Sequence, residues 1–243
     1  MSDALTAAVH SMQGDLRYMD TISQNMVNIA TPGYRRAIPL AQPFGAAMAA
    51  AQDTAAGPRQ PSAPSLSSVL DLTPGALRQT GKPWDLAISG DGYFAVETAQ
   101  GPAYTRAGEF RLDAGGRLVT GDGHPVQGVG GDIVLSGSAA QIDHAGRITQ
   151  NGETVGQLKV VRFGPGVALH KTGAGLLQAG DPGAGAAVAD PELQVGYLEN
   201  SNVVPMREMV MMMETTRHFE AAQKLYQGYD EALSSAIQKL GAF

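Results

Sequence analysis

Over the last forty residues apolar side chains return at alternating steps of three and four: Met212, Thr215, Phe219, Ala222, Tyr226, Tyr229, Leu233, Ala236 and Leu240, with Thr215 the one polar member. A second row of Met206, Met209, Val210 and Met213 widens the start of this track, and from Pro205 to Lys239 there is no further proline and one glycine, Gly228. That spacing predicts a helix with a single apolar stripe. At 1.5 Å per residue it would run ~55 Å, more than a compact domain needs, so the stripe calls for a partner helix. Residues 2–29 carry the same signature through Leu5, Val9, Met12, Leu16, Met19 and Met26, with Ile22 and Ile29 beside them and Ser2 or Asp3 as the cap. This second helix, ~40 Å long, should stop at Ala30-Thr31-Pro32-Gly33-Tyr34, because proline holds the residue before it extended and glycine supplies a turn.

Between the two stripes the period falls to two. Short apolar or alternating runs at Asp85-Leu86-Ala87-Ile88, Tyr93-Phe94-Ala95-Val96, Glu109-Phe110-Arg111-Leu112, Arg117-Leu118-Val119, Asp132-Ile133-Val134-Leu135 and Gln157-Leu158-Lys159-Val160-Val161-Arg162-Phe163 are separated by Gly90-Asp91-Gly92, Asp113-Ala114-Gly115-Gly116, Gly121-Asp122-Gly123 and Asn151-Gly152, which suit tight hairpins. Leu112-Asp113-Ala114-Gly115-Gly116-Arg117-Leu118 and Ile142-Asp143-His144-Ala145-Gly146-Arg147-Ile148 match as a weak internal repeat. Residues 164–191, rich in Gly, Ala and Pro, are expected to loop back over the sheet, and 45–68 to be an Ala/Pro-rich linker or arm. Ser201 and Asn202 are candidate caps for the last helix, with Pro205 in its first turn. The expected fold is α+β: long N- and C-terminal helices pairing as a coiled coil, with a central all-β, hairpin-rich domain, barrel- or sandwich-like. The expected parts are an N-terminal helix over 1–34, a linker or arm over 35–69, the β domain over 70–195 and the C-terminal helix over 196–243.

Composition narrows the function. A formal net charge of −6 with no basic block argues against a nucleic-acid partner held through phosphates. With no cysteine, disulfides, thiolate metal sites and thiol nucleophiles are excluded. No apolar run approaches the ~20 residues of a membrane span. Asp3, His10, Asp15, Arg17 and Asp20 interrupt the first helix, so a cleavable secretory signal is not expected. The histidines His10, His124, His144, His170 and His218 lack metal-ligand spacing. Most aspartates stand beside glycine, where they stabilise turns, and Gly128-Val129-Gly130-Gly131 has no helix after it to cradle a phosphate. Trp84 is expected to be a packing anchor under the sheet. No catalytic constellation, cofactor site or metal site emerges. A cell-wall-acting enzyme would need two carboxylates in one cleft, which no local spacing supplies; a surface binding module on a helical stalk is the other alternative class.

Three segments resemble a known family. Asn25-Met26-Val27-Asn28-Ile29-Ala30-Thr31-Pro32-Gly33-Tyr34-Arg35 looks like the N-terminal signature of the axial proteins of the bacterial flagellum, the rod and hook proteins. Asp85-Leu86-Ala87-Ile88-Ser89-Gly90-Asp91-Gly92-Tyr93-Phe94-Ala95-Val96, with Tyr104-Thr105-Arg106-Ala107-Gly108-Glu109-Phe110, is similar to their central β region. Gly196-Tyr197-Leu198-Glu199-Asn200-Ser201-Asn202-Val203 resembles their C-terminal signature, and the Thr-Pro-Gly-Tyr-Arg corner looks more like a proximal than a distal rod member. The resemblance implies a structural, non-enzymatic subunit of the basal-body rod, whose partners are other rod proteins, copies of itself and the flagellar export apparatus, with no nucleic acid and no small-molecule substrate. It implies that the two stripes, from Leu5 to Met26 and from Met206 to Leu240, form the assembly interface. It also implies that Asn25, Asn28, Thr31, Pro32, Gly33 and Tyr34, with Asn200, Ser201 and Asn202, set where the helices begin and end.

Overall fold

A computed structural model describes residues 2–40, 68–136, 140–173, 175–181 and 183–240; side chains at 2–8, 230, 233, 236, 237, 239 and 240 are outside that description. Most of the expected linker or arm lies outside the described residues. The chain divides into two compact units, one of residues 1–27, 37–71 and 204–243 and the other of residues 28–36 and 72–203.

The first unit holds α1 (Ser2–Val27), β1 (Ala37–Pro39), β2 (Ser68–Leu70) and α2 (Pro205–Leu240). Pro205 occupies the first helical position, where a missing N–H costs nothing. The helices run antiparallel, since Asp15 meets His218, Met19 meets Thr216 and Asn25 meets Glu208. β1 and β2 form a short antiparallel ladder, Ala37 opposite Leu70.

The second unit is built from short antiparallel strands. Two ladders join its beginning to its end: β3 (Leu77–Gln79) pairs with β19 (Tyr197–Glu199), and β4 (Leu86–Ile88) with β18 (Leu193–Val195). β5 (Tyr93–Thr98) and β6 (Gly101–Thr105) form a hairpin, followed by the hairpin of β7 (Phe110–Leu112) and β8 (Leu118–Thr120) and the small ribbon of β9 (Gln127–Gly128) and β10 (Gly131–Asp132). β11 (Ala140–Ile142), β12 (Arg147–Gln150) and β13 (Glu153–Gln157) make a three-stranded sheet. Its second turn is Asn151-Gly152, with φ of 53° and 85°, the double positive φ that a two-residue hairpin of matching twist requires. β14 (Val160–Phe163), β15 (Leu169–Lys171), β16 (Leu176–Ala179) and β17 (Gly185–Val188) join β5 and β6 in a six-stranded sheet of order β15-β16-β6-β5-β14-β17.

The core of this unit is one cluster in which Leu86, Phe94, Val96, Leu118, Val126, Ile148, Leu158 and Leu193 are almost wholly removed from solvent. Phe94 and Phe110 meet edge to face at 5.0 Å between ring centroids, a favoured aromatic geometry. Trp84 packs against the cluster from its rim, as an anchor. The internal repeat is a repeated turn. Asp113 Oδ1 accepts from the N–H groups of Gly115 and Arg117, each at 2.8 Å, and Asp143 Oδ1 accepts from Ala145 at 2.9 Å and Arg147 at 2.8 Å. Gly116 and Gly146 both adopt positive φ, and each carbonyl accepts a 2.8 Å bond from a leucine of a later segment, Leu135 and Leu158.

The expected α+β fold, a terminal coiled coil carrying a barrel- or sandwich-like β domain, is corrected. Among the described residues there are two helices and a β-rich region whose main sheet is a curled half-barrel. Among the described residues its edge strands, β15 and β17, do not pair with each other, so the sheet is not closed into a barrel, and there is no second sheet of equal size as a sandwich requires. Nor is the helix pair a continuous apolar seam over its described side chains: among these the buried positions along α2 are Glu208, Thr215 and Ala222, two of them polar, while Met206, Met209, Met213 and Tyr226 of the stripe are exposed. Residues 164–191 also differ from the expected loop, because they supply β15, β16 and β17 and hence both edges of the main sheet. Small residues are needed there: a side chain at Gly185 would stand 2.4 Å from a Val161 methyl.

Candidate functional site

Two sets of residues were expected to matter, the helical stripes and the corner. On α1, Val9 and Leu16 are exposed, Leu16 by 52%, while Met12, Met19 and Met26 are half-buried. On α2, Met206 is 68% and Met213 54% exposed, Met209 and Tyr226 are also exposed, and Met212, Phe219 and Tyr229 are half-buried. Leu5, Leu233 and Leu240 lie in the helices but outside the described side chains. What the helices bury between them is largely polar. Asn25 is fully buried; its Oδ1 accepts from Ala37 N–H at 2.9 Å while its Nδ2 donates to Ala37 O at 2.9 Å and to Glu208 Oε2 at 3.2 Å. One amide thus plays the part of a strand neighbour to β1 and reaches α2 as well, which makes its orientation unambiguous. His218 Nδ1 stands 2.8 Å from Asp15 Oδ2, and Thr215 Oγ1 turns back to Met211 O at 2.8 Å.

The corner belongs to the second unit. Asn28 O accepts from Thr31 N–H at 3.2 Å and Asn28 Oδ1 from the Thr31 hydroxyl at 3.1 Å, which closes the turn ahead of Pro32. Gly33 has φ of +66°, and a Cβ there would lie 2.3 Å from Ala107 N, so both backbone shape and space demand glycine. Tyr34 is wholly buried, with the Lys171 ammonium 3.7 Å from its ring centroid. Burial pulls Lys171 down to about 8, whereas the ring face favours its charged form. At the other end, Asn200 N–H donates to Ala76 O at 2.9 Å and Asn200 Oδ1 accepts from Arg78 Nε at 3.3 Å. Ser201 Oγ accepts from Val203 N–H at 3.3 Å. Asn202 Oδ1 accepts from Arg36 N–H at 2.7 Å, and its Nδ2 donates to Thr73 O at 3.0 Å.

The residues that tie this corner together were not among those singled out in the sequence. Glu199 is 1% exposed, and its carboxylate receives Arg35 Nη1 at 2.7 Å, Gly75 N–H at 2.9 Å and Arg106 Nη1 at 3.2 Å. Its backbone carbonyl accepts from Gly33 N–H at 2.8 Å. Arg35 also donates to Thr73 O; Arg106 donates to Ile88 O at 3.3 Å and Gly90 O at 2.6 Å, and its guanidinium lies 5.2 Å from the Tyr93 ring centroid. Burial lowers the Arg106 pKa from its ordinary value, and Glu199 opposes that shift. Burial raises that of Tyr93, and the two nearby arginines oppose it. The signal available beforehand was that Arg35, Arg106 and Glu199 each stand inside one of the three resembling segments.

Among the described residues no group of three or more His, Cys, Asp or Glu is placed to hold a metal. One groove, of about 510 Å³, is lined by Lys82, Pro83, Trp84, Asp85, Glu109, Phe110, Arg111 and Gly121.

Residues 87–155 match the model of the flagellar hook protein FlgE/F/G D1 domain, and residues 194–239 match that of the flagellar basal body rod FlgEFG protein C-terminal region. The chain is 30% identical to the flagellar basal-body rod protein FlgF of Mesorhizobium japonicum, an alignment that covers 100% of this chain and 99% of the relative. The chain belongs to the flagellar basal-body rod protein family. It is also 31% identical to FlgF of Salmonella typhimurium over 99% of each chain, and 31% identical to FlgG of Bacillus subtilis over 98% of each. It is accordingly FlgF-like, a structural subunit of the flagellar basal-body rod, in a family that is not a class of enzymes. Membership implies assembly with other rod and hook components. No helix among the described residues is long and apolar enough to cross a membrane.

Proposed function

We propose that this rod subunit assembles through the apolar stripe of its terminal helical unit, at a proximal position in the rod, and that it catalyses no reaction. The observation that carries the reading is the exposure of Leu16, Met206, Met209, Met213 and Tyr226 along two long helices, the kind of uncovered apolar side chains that mark an interaction surface when they recur at helical spacing. Val9 is exposed beside them, and Met12, Met19, Met26, Met212, Phe219 and Tyr229 extend the stripe in the half-buried rows. Methionine suits such a surface, since its unbranched thioether adapts to neighbours of differing shape. Contacts of this kind between copies and related rod proteins are heterologous: one face meets a different face on the next subunit, and the pattern propagates along an axis without closing. The flagellar export apparatus is the partner that delivers the chain to the basal body.

The test is incorporation of Met213→Asp, a charge on the exposed stripe, into basal bodies of a strain lacking the native subunit. Loss of incorporation with unchanged Trp84 fluorescence is the expected result, and normal incorporation would sink the assignment of the stripe. Rescue of a strain lacking the distal rod protein, without rescue of one lacking the proximal protein, would reverse the choice of position.

A further inference from the structure

We propose that Glu199 and Asn202 are positioning residues which gather the chain's crossings out of the β unit into one polar node, and that closing this node makes the helical unit competent to assemble. The inference rests on the proposed role of the helical stripe. The chain passes from one unit to the other at 27/28, 36/37, 71/72 and 203/204. Three of those crossings have a residue in the node. Arg36, the last residue before the second crossing, donates its N–H to Asn202 Oδ1 at 2.7 Å. Thr73, just after the third, accepts Asn202 Nδ2 at 3.0 Å on its carbonyl and at 3.3 Å on its hydroxyl, and Arg35 Nη1 on the same carbonyl. Asn202, just before the fourth, donates its own N–H to Tyr34 O at 3.4 Å.

Glu199 locks the same three segments from beneath. It draws Arg35 from the corner and the Gly75 N–H from the loop after Thr73 onto one carboxylate, with Arg106 behind them as the second cation. Its carbonyl holds Gly33. A carboxylate accepts several donors at once, and a primary amide both donates and accepts, so these two side chains can join three backbone segments where an apolar residue could join none. Neither belongs to the main sheet or to the apolar cluster beneath it. Losing the Asn202 contacts therefore frees the places from which α2 and the β1–β2 ladder depart while leaving the fold of the β unit in place, whereas losing the Glu199 carboxylate also weakens that unit.

The test uses the full chain with Asn202→Ala, Asn202→Asp and Glu199→Gln, the exposed Glu109→Gln as a control, and Met213→Asp beside them. Amide exchange is read at Arg36, Gly33 and Gly75, unfolding of the β unit by Trp84 fluorescence, and incorporation into basal bodies. For Asn202→Ala the expected result is exchange about ten-fold faster at the Arg36 amide, unchanged exchange in β4 and β5, and incorporation reduced about ten-fold. Asn202→Asp keeps the acceptor for Arg36 and should recover that protection together with part of the incorporation. Glu199→Gln should instead speed exchange at Gly75 and Gly33. Wild-type incorporation by Asn202→Ala despite fast exchange at Arg36, or an unchanged Arg36 amide, overturns the proposal; so does a fall in the Trp84 midpoint that accounts for the lost incorporation. If Met213→Asp incorporates normally, the stripe itself is misassigned, whatever the node does.

Discussion

The two units bury different things. In the β unit Leu86, Phe94, Leu118, Ile148, Leu158 and Leu193 close into one apolar cluster, and three of its buried charges, Arg35, Arg106 and Glu199, are paired through the Glu199 carboxylate. Along α1 and α2 the buried apolar residues among the described side chains are Ile22 and Ala222, accompanied by Asn25, Glu208 and Thr215, while Leu16, Met206 and Met213 stand in solvent. Apolar burial is what pays for chain ordering. The β unit closes a contiguous apolar core within the chain, whereas the helical unit holds itself in register largely with polar contacts and keeps several apolar side chains exposed. If the proposed assembly through the stripe holds, the difference teaches that one chain can separate the part that folds alone from the part a neighbour completes.

The comparison breaks most sharply in the β core. Phe94→Ala removes a fully buried ring and its edge-to-face partner, and should cost about 3–5 kcal/mol in the unfolding of the β unit. Trp84 is the sole tryptophan and lies in that unit, so its fluorescence in a denaturant titration reads this transition apart from the helices, whose signal is the far-ultraviolet circular dichroism. Glu199→Gln should come next. It leaves Arg35 and Arg106 buried without their carboxylate, and removing one partner of such a cluster costs about 3 kcal/mol or more. Equal stability of wild type and Glu199→Gln would mean that the triad does not hold the corner. Met213→Asp stands at the opposite end, since an exposed substitution changes monomer stability by about 0.5 kcal/mol or less. A large thermal loss in that variant would show that the stripe is already covered within one chain, and the contrast between the units would fall.

How much of this could be read from the sequence divides along the same line. Both helices were legible because a three-four period over 26 and 36 residues has no competing interpretation, and α1 ends at Val27, two residues before the expected boundary. The repeated turn was legible because Asp113 and Asp143 do one local job each, fixed within five residues. The strands of residues 164–191 were not, because β17 reads Gly-Ala-Ala-Val and carries no alternation; its strand character comes from pairing with β14. Nor was the polar character of the helix contact, since Thr215 looked like a flaw in an apolar track and is one of its buried members. The node was hidden for a third reason. Its charges lie 71 and 93 residues apart, from Arg35 to Arg106 and from Arg106 to Glu199, and nothing local about an isolated Arg or Glu announces that it will be buried with another.

The last prediction tests whether the corner's charge is as settled as its backbone. Lys171, half-buried on the sheet-edge strand β15, is held at about 8 against an ordinary 10.5 by burial, while the Tyr34 ring at 3.7 Å works in the other direction. Between those two values the unfolded chain keeps a proton that the folded chain releases, so stability rises with pH through that window and is lowest, and constant, below about 8. Other groups titrate there too, but they are common to wild type and Lys171→Met, and the difference between the two isolates the amine. Methionine keeps most of the aliphatic stem and removes the charge. Lys171→Met should therefore be the more stable protein at pH 7, with the gap narrowing by pH 9.5, short of the range in which the raised Tyr93 and Tyr104 begin to ionise. Midpoints read by Trp84 fluorescence at the two pH values decide it. A gap that stays constant means the ring offsets the burial and Lys171 remains an ordinary cation; a gap that narrows means the corner carries an unfavourable charge at neutral pH over the Tyr34 ring.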